Sequence, residues 1–407
     1  MLGGAWSFLF FLLVFIGLLS TNGVVIAVGI MGLAVGGVSW LWNRLSLERV
    51  TYQRSLDSNH IFVGDETTLT IVVRNDKPIP LARLSMEDDI PDDLGIEGGY
   101  AKPTGAPGTL GLKHSTSMAW YEQIRWQVKI KGLRRGYYRL GPVRLTSGDL
   151  FGFFNCQRQY EDQDFLVVYP MVVSLPGVFL PPKRPVGDSR GGLKIFEDLS
   201  RPASIRDFQP GDPLNSIDWK ATARRQSLQV KQFDPSVREH VVVLADANTH
   251  HHSWEGYSPL YLERVVTAAA SVAGHAAESQ YGVGLFSNGS PVFARKAVTL
   301  PPSRDPKQLA TILEILASIT SMTFTSMTHL IGSEANKFPI GATLVLVSSV
   351  LTEDLIEAME YLSRLGYQTM VIFVGDEEPP PLPEDLPFYD LASYFARMES
   401  TYAGSTS

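Results

Sequence analysis

Cysteine and net positive charge are what this sequence most lacks. Its 407 residues include one cysteine, Cys156, which excludes an intramolecular disulfide and the usual thiolate zinc sites. The formal net charge is -7 at pH 7, whereas proteins that bind nucleic acids favour basic surfaces. We therefore do not expect the protein to bind nucleic acids. The chain is long enough for two or three domains of roughly 150 residues each.

Motifs for nucleotide binding and nucleophilic catalysis are also missing. The sequence has no GxxxxGK phosphate loop and no dinucleotide-binding glycine fingerprint, and it has no GxSxG elbow. The three histidines at 250–252 favour a solvated loop over a metal site, because adjacent side chains point in different directions and no HExxH motif accompanies them. We therefore expect a protein that binds no nucleotide and is not an enzyme.

Charge is absent from residues 2–42, and a turn-forming cluster at 20–23 divides them into two apolar stretches. Each stretch is about long enough to cross a ~30 Å hydrocarbon core as a helix. We therefore expect a transmembrane helical hairpin over residues 1–45, with a signal peptide as the alternative. Small residues in the second stretch allow close helix packing: Gly29, Gly32, Gly36 and Gly37.

The flanking charges predict the sidedness of this hairpin. Arg44 and Arg49 follow the second stretch, and no Lys or Arg precedes the first. Basic residues favour the cytoplasmic side of a membrane. We expect the amino terminus and the soluble domains to lie in the cytoplasm.

The pattern after the hairpin changes twice. Short alternating runs bounded by turn residues predict a β-sandwich-like domain over 46–175. A linker and a distinctive cassette follow over 176–238. Strands then alternate with helices over 239–378, which predicts a parallel α/β sheet, and residues 379–407 are expected to form a carboxyl-terminal tail. Functional loops of such a sheet lie beyond the carboxyl ends of its strands, here at 246–252, 287–290, 348–354 and 375–378.

The cassette reads "RDFQPGDPLNSIDWKATARR" over residues 206–225. Its proline and glycine residues predict a turn, and its aspartates can cap helices or pair with cations. We expect Trp219 to pack into a junction between the two soluble domains and Arg224 to pair with a carboxylate such as Asp212. An interdomain brace and a partner-docking surface both remain open for this set: Arg206, Pro210, Gly211, Asp212, Asp218, Trp219 and Arg224.

Asp246 ends the first strand of the α/β region, where the chain reads Asp-Ala-Asn-Thr-His. A carboxylate followed at the second and fourth positions by hydroxyl groups would offer oxygen ligands to a hard divalent cation. Here Asn248 and His250 stand at those positions. The sequence therefore predicts a degenerate metal site.

The segment "RDFQPGDPLNSIDWKATARRQSLQVKQFDPSVREHVVVLADAN" resembles the bacterial family called domain of unknown function 58. The resemblance covers nearly the whole chain and implies a doubly wound, von Willebrand factor A-like α/β domain. In that fold the metal-ion-dependent adhesion site also takes a threonine and an aspartate from later loops. Thr328 matches the threonine, whereas Ser349 stands where the aspartate is expected, so Mg²⁺ or Mn²⁺ binding is not expected at Asp246, Asn248 and Thr328. The residues that match the family signature are Arg206, Phe208, Pro210, Gly211, Asp212, Ile217, Asp218, Trp219, Ala221, Ala223, Arg224, Leu228, Val230, Lys231 and Phe233.

The resemblance also implies partners and a location. Members of this family are similar to accessory proteins that occur with MoxR-type AAA+ ATPases. We therefore expect a non-enzymatic adaptor in the bacterial inner membrane, multi-pass, which binds the ATPase and client proteins through a cytoplasmic A-like domain. The alternative is a metal-dependent hydrolase that uses Asp246 or the carboxylates of the cassette.

Overall fold

The computed structural model describes residues 2–104, 106–161, 163–178, 202–209, 217–233, 240–251 and 256–405. The chain divides into two compact units. The amino-terminal unit comprises Met1–Met171 and Leu313–Ser318, and the carboxyl-terminal unit comprises Val172–Ile312 and Ile319–Ser407.

Two helices begin the amino-terminal unit, α1 (Leu2–Leu19) and α2 (Gly23–Ser46). Asn22 caps α2, because its side chain accepts a hydrogen bond from the backbone N–H of Val24 at 3.1 Å. Among the described residues, α2 alone is long and apolar enough to cross a membrane, and Phe8–Leu19 forms a shorter apolar stretch. Length and composition therefore support one membrane-spanning helix rather than the expected two, and a membrane anchor and a signal sequence both fit this helix.

Two glycines of α2 pack closely against α1, as the sequence predicts. A Cβ atom at Gly29 would meet Val14, and one at Gly32 would meet the ring of Phe10. Gly36 and Gly37 differ from the expectation, because no described atom lies within 4 Å of a Cβ at either position. Close packing between the two helices is thus confirmed for Gly29 and Gly32.

A sheet-rich region follows α2, which confirms this part of the predicted fold. Its strands form three sheets, in the orders β1-β3-β8-β5, β11-β10-β4-β7-β6 and β2-β12-β9. Alternate residues of β3 and β4, such as Leu69, Ile71 and Met86, point into one shared apolar core. The strands are β1 (Val50–Leu56), β2 (His60–Phe62), β3 (Glu66–Asn75), β4 (Leu81–Pro91), β5 (Leu94–Glu97), β6 (Tyr100–Pro103), β7 (Thr109–Met118), β8 (Gln123–Gly132), β9 (Gly136–Leu140), β10 (Val143–Gly148), β11 (Asn155–Tyr160) and β12 (Asp164–Tyr169).

A buried polar network joins these three sheets. Arg54 on β1 donates from Nη1 to Oδ1 of Asp88 on β4 at 2.8 Å, and from Nε to Oδ2 of Asp164 on β12 at 2.7 Å. The hydroxyl of Tyr52 donates to the second oxygen of Asp88 at 3.0 Å. Burial raises the pKa of Asp88, although the charge of Arg54 opposes this. Arg54 is thus the cation that balances the buried carboxylate.

The carboxyl-terminal unit contains the α/β region, as predicted. A sheet has the order β18-β16-β15-β20-β21-β22, in which all neighbours are parallel except the antiparallel pair β16 and β18. The helices that follow β12 in the chain are α3 (Trp219–Arg225), α4 (Pro259–Glu278), α5 (Gln308–Ser318), whose residues from Leu313 belong to the amino-terminal unit, α6 (Met327–Glu334), α7 (Glu353–Arg364) and α8 (Ala392–Ser405). The strands are β13 (Pro202–Asp207), β14 (Gln229–Phe233), β15 (His240–Ala245), β16 (Gly282–Ser287), β17 (Gly289–Pro291), β18 (Val298–Ser303), β19 (Ile319–Thr323), β20 (Thr343–Ser348), β21 (Gln368–Phe373) and β22 (Phe388–Asp390).

The segment expected as a carboxyl-terminal tail, 379–407, instead adds β22 and α8 to this unit. Phe395 of α8 is fully buried. Arg264 of α4 is also buried, and it donates to both carboxylate oxygens of Glu399 on α8 at 2.8 and 2.9 Å. Its Nη1 also donates to Asp376 at 2.7 Å. Apolar burial and this two-pronged ion pair explain why the segment is ordered.

Candidate functional site

A cleft of about 440 Å³ opens at the carboxyl edge of the sheet. The loops after β15 and β20 and the first turns of α6 and α7 form its walls. Three residues predicted from the sequence, Asp246, Asn248 and Thr328, all line it. The other lining residues are His250, His251, Ser326, Met327, His329, Val350, Thr352, Asp354 and Leu355. The cleft therefore lies beyond the strand ends where the sequence places functional loops.

Asp246 is 3% exposed, and hydrogen bonds from the chain surround its carboxyl group. Its Oδ1 accepts from the side-chain amide of Asn288 at 2.7 Å and from the backbone N–H of Asn248 at 3.1 Å. Its Oδ2 lies 3.1 Å from the hydroxyl oxygen of Ser348. Burial raises the pKa of Asp246 to about 6, although these hydrogen bonds act in the opposite direction. Ionisation of Asp246 is therefore less favourable in the folded protein than in water.

The hydrogen-bond partners of Ser348 bear on whether Asp246 carries a proton. Ser348 Oγ lies 2.6 Å from the carbonyl oxygen of Val350 and accepts from the N–H of the same residue at 3.1 Å. A hydroxyl has one proton to donate, and a carbonyl oxygen has none. If that proton serves Val350, the contact between Asp246 and Ser348 is a hydrogen bond only when Asp246 itself carries a proton. In that arrangement the neutral carboxyl of Asp246 donates to Ser348 Oγ, and Ser348 donates to Val350.

The residues at the predicted metal site make contacts within the chain itself. Both oxygens of Asp246 are already engaged by the chain. Ser349, at the position where the family pattern expects an aspartate, is buried and donates to the backbone carbonyl of Asn248 at 3.2 Å. Within the described ranges, no cluster of three or more His, Cys, Asp or Glu side chains is arranged to hold a metal ion. The oxygens of Asp246 and Ser349 at this edge therefore already make contacts within the chain.

Sequence reasoning located the loops but missed two residues that hold Asp246, Asn288 and Ser348. Asn288 is fully buried, and its side-chain oxygen accepts from the N–H of Ala247 at 2.8 Å. Both residues lie at strand ends that the sequence indicates. A single asparagine or serine at such a position matches no sequence motif, so their role could not be predicted. His329 of the cleft was also missed, because the helix α6 was not predicted, whereas Asp354 lies in the predicted loop at 348–354, at the start of α7.

The histidines at 250 and 251 do not converge on one point. His251 pairs with Glu377, Nε2 to Oε2 at 3.0 Å, and both side chains are exposed. The ring of His250 meets Tyr261 edge-on, with centroids 6.3 Å apart. His252 lies outside the described residues. The two described side chains thus contact different partners.

The cassette forms a strand pair with a short helix. The strand β13 pairs antiparallel with β14, and Asp218 caps the helix α3 by accepting from the N–H groups of Lys220 and Ala221 at 3.0 Å each. Trp219, expected to pack into a domain junction, is instead 68% exposed. Its position in the first turn of α3 directs the indole to solvent.

The remaining cassette residues only partly test the predicted pairing. Arg224 is exposed, and its expected partner Asp212 lies outside the described residues, as do Pro210 and Gly211. Arg206 is half-buried and donates to the backbone carbonyl of Asp207 at 3.1 Å. Whether the cassette acts as a brace or as a docking surface stays a prediction.

Comparison with solved structures finds only weak similarity to this chain. The GAE domain of GGA2p from Saccharomyces cerevisiae is 8% identical, with a TM-score of 0.20, over 29% of this chain and 89% of that chain. A cohesin module from a Clostridium perfringens family 33 glycoside hydrolase is also 8% identical, with a TM-score of 0.21, over 29% of this chain and 96% of that chain. Similarity this low carries no argument about architecture or function.

Comparison with known sequences is more informative. Residues 204–388 match the family described as "Protein of unknown function DUF58". This range includes the cassette and the whole Asp246 cleft. The "Uncharacterized protein YeaD" of Bacillus subtilis (strain 168) is 26% identical over 333 residues, which are 81% of this chain and 76% of the relative. The cassette and the cleft thus lie in the matched part of a chain that belongs to the DUF58 family.

Proposed function

We propose that this protein is a membrane-anchored, non-enzymatic adaptor that binds partner proteins in the Asp246 cleft. One observation carries the proposal: the buried carboxyl group of the cleft is held by Asn288 and Ser348, while the polar groups at its mouth are accessible. Thr352, Asp354 and His329 are exposed, and Thr328 is half-buried. Such groups can form hydrogen bonds with a partner, whereas the engaged Asp246 is poorly placed to act on a substrate.

The partner that we propose is a MoxR-type AAA+ ATPase, together with its client proteins. This choice rests on the resemblance of the cassette to the domain of unknown function 58 family. It also treats the α/β region as a doubly wound, von Willebrand factor A-like domain, which binds partners at the carboxyl edge of its sheet. The observed parallel sheet and the cleft at that edge support this interpretation.

The anchor that we propose consists of α1 and α2 as two spans of the bacterial inner membrane, with the soluble units in the cytoplasm. Close packing of α1 on Gly29 and Gly32 supports a hairpin. The end of α2 is held by the sheets, because Lys77 Nζ donates to the carbonyl oxygen of Glu48 at 2.8 Å and Arg158 Nη1 donates to that of Leu47 at 3.1 Å. A helix integrated in this way favours a retained anchor over a cleaved signal.

The alternative, a metal-dependent hydrolase, is less well supported. Both oxygens of Asp246 are engaged, and Asp218 is engaged as a helix cap. Asp212, the other cassette carboxylate, lies outside the described residues. Hydrolysis needs a base or metal ligand that is free to meet the substrate, whereas Asp246 is engaged at both oxygens and Asp218 at Oδ1.

The binding site can be tested by blocking the cleft. We expect Thr328→Arg in the full-length, detergent-solubilised protein to abolish retention of the MoxR-type ATPase encoded in the same genome. Ser363→Arg is the matched control, because Ser363 is exposed near the end of α7 that is remote from the cleft. Equal retention by both variants, or loss with both, would contradict binding in this cleft.

A further inference from the structure

Five large apolar side chains are exposed at one end of the sheets in the amino-terminal unit. Leu150, Phe151 and Phe153 lie in the loop between β10 and β11, Trp120 and Tyr121 lie in the turn between β7 and β8, and the five are 42 to 67% exposed. We call them the apolar rim. Both loops begin at the same end of one sheet, because β4 lies between β7 and β10 and pairs antiparallel with each of them. Exposed apolar groups concentrated in this way indicate an interaction site.

The apolar rim lies at the end of the sheets that α2 enters. The N–H of Tyr121 donates to the backbone carbonyl of Lys77 at 3.3 Å. The ammonium of Lys77 in turn donates to the carbonyl oxygens of Ser46 and Glu48 at the end of α2. Cations suit the negative end of a helix dipole. The rim and the end of α2 are therefore held in a fixed relation.

The contacts along α2 show at which height along the helix axis the apolar rim lies. Ser39 and Ser46 are buried on α2, and Ser39 lies about two turns, or roughly 10 Å, before Ser46. The helix α2 contacts β10 and β11, and Ser46 Oγ at its end lies 2.7 Å from Sγ of Cys156 on β11. Directly after β10, the carboxyl group of Asp149 accepts from the backbone N–H groups of Phe151 at 3.1 Å and Phe154 at 2.7 Å. The strands that flank the β10–β11 loop therefore lie against the last turns of α2.

This level coincides with the expected edge of the membrane. Residues 23–39 of α2 precede its last two turns, and at 1.5 Å per residue they span about 25 Å. That length is close to the ~30 Å thickness of a hydrocarbon core. If residues 23–39 cross the bilayer, the loop that follows Asp149 lies at the boundary between acyl chains and headgroups.

We propose that the apolar rim inserts into the same bilayer that α2 crosses and holds the amino-terminal unit against the membrane surface. The inference rests on the membrane anchoring proposed above. Tryptophan and tyrosine favour the membrane interface, as Trp120 and Tyr121 would here. Arg44 and Arg49 are exposed near the end of α2, which suits anionic headgroups. A bilayer thus matches both the apolar and the charged groups of this surface.

Spin labels on single cysteines test this insertion in the full-length protein. Cys156 is the only cysteine, and Cys156→Ser keeps a group that can contact Ser46, so labels can be placed at Phe151→Cys, Trp120→Cys and Ala106→Cys in that background. Ala106 is exposed in the turn between β6 and β7, at the opposite end of the same sheet. Vesicles of phosphatidylcholine and phosphatidylglycerol provide the membrane.

The measured quantity is the collision rate of each label with oxygen, which concentrates in the bilayer, and with a water-soluble nickel chelate. We expect the label at 151 to lose nickel collisions while it retains oxygen collisions, and the label at 120 to show an intermediate loss. The label at 106 is expected to collide freely with nickel. A label at 151 that collides with nickel as freely as the label at 106 would refute insertion.

A fourth label, Val28→Cys on α2, separates this inference from the anchoring on which it rests. If position 28 is in lipid and position 151 is in water, the insertion of the apolar rim is refuted and the anchor stands. If position 28 is also in water, the proposed anchor itself fails. If position 151 is shielded from both reagents, a protein surface covers the rim, which also refutes a bilayer as its occupant.

Discussion

Replacing Asp246 by asparagine tests the interpretation that its carboxyl group serves the fold in its neutral form. Asp246→Asn removes the charge and keeps the shape, and its amide can donate to Ser348 in place of the carboxyl proton. An unfolded aspartate has a pKa of about 3.9, whereas burial raises the pKa of Asp246 to about 6. Ionising Asp246 is therefore about 3 kcal/mol less favourable in the folded state than in the unfolded chain.

The sign of the pH dependence follows from these two values. Because the folded state holds the proton more tightly, it binds more protons than the unfolded state between about pH 4 and pH 6. The contribution of Asp246 to the free energy of unfolding therefore falls as the pH rises through this window and is constant above it. The asparagine variant lacks this dependence. Its free energy of unfolding is therefore expected to exceed that of the wild type by an amount that grows from near zero at about pH 4 to about 3 kcal/mol at neutral pH.

Amide hydrogen exchange of β15 in the solubilised full-length protein measures this effect locally. We expect exchange in Asp246→Asn to be about a hundredfold slower than in the wild type at neutral pH, with the ratio approaching one near pH 4. Asp354→Asn is the control, because Asp354 is exposed in the same cleft and exposed charges contribute little to stability. Faster exchange in Asp246→Asn, or a ratio that does not vary with pH, would refute the reasoning.

Three further substitutions test contacts elsewhere in the chain. Arg264→Ala should lower the free energy of unfolding by about 3 kcal/mol, because it leaves Glu399 without its buried partner, and limited proteolysis should then cleave α8 first. Arg54→Ala should cost about 3–5 kcal/mol in thermal unfolding, since it leaves the fully buried Asp88 unpaired; a loss below about 1 kcal/mol would show that water replaces the arginine. Trp219→Ala should change stability by less than about 0.5 kcal/mol, because the indole is largely exposed, and unchanged ATPase binding by this variant would count against a docking role.

Much of the fold could be predicted because its strands and helices carry clear periodicity. The buried strands at "HVVV" and "LVLV" and the amphipathic helix α7 stand out without any structural information. The strand β22 and the helix α8 could not be predicted, because the strand has three residues and follows a proline-rich segment. Pairing with β21 and the ion pair of Glu399 order them, and both are long-range contacts.

The candidate site was predicted in position but not in detail. Asp246 was identified because a carboxylate follows a buried strand, and its neighbours Asn248 and Thr328 do line the same cleft. The roles of Asn288 and Ser348 depend on which strands lie beside β15, and strand order has no local signature. The exposure of Trp219 was missed for a similar reason, since aromatic character alone does not say which face of a short helix is covered.

Cross-linking at position 328 tests the central claim, that a partner protein occupies the Asp246 cleft, most directly. A photo-cross-linking amino acid placed at Thr328 in the full-length protein, in cells of the source bacterium, should form an adduct with the MoxR-type ATPase. The same amino acid at Ser363 should form none. Equal adducts at both positions, or no adduct at 328 when the two proteins co-purify, would contradict the account.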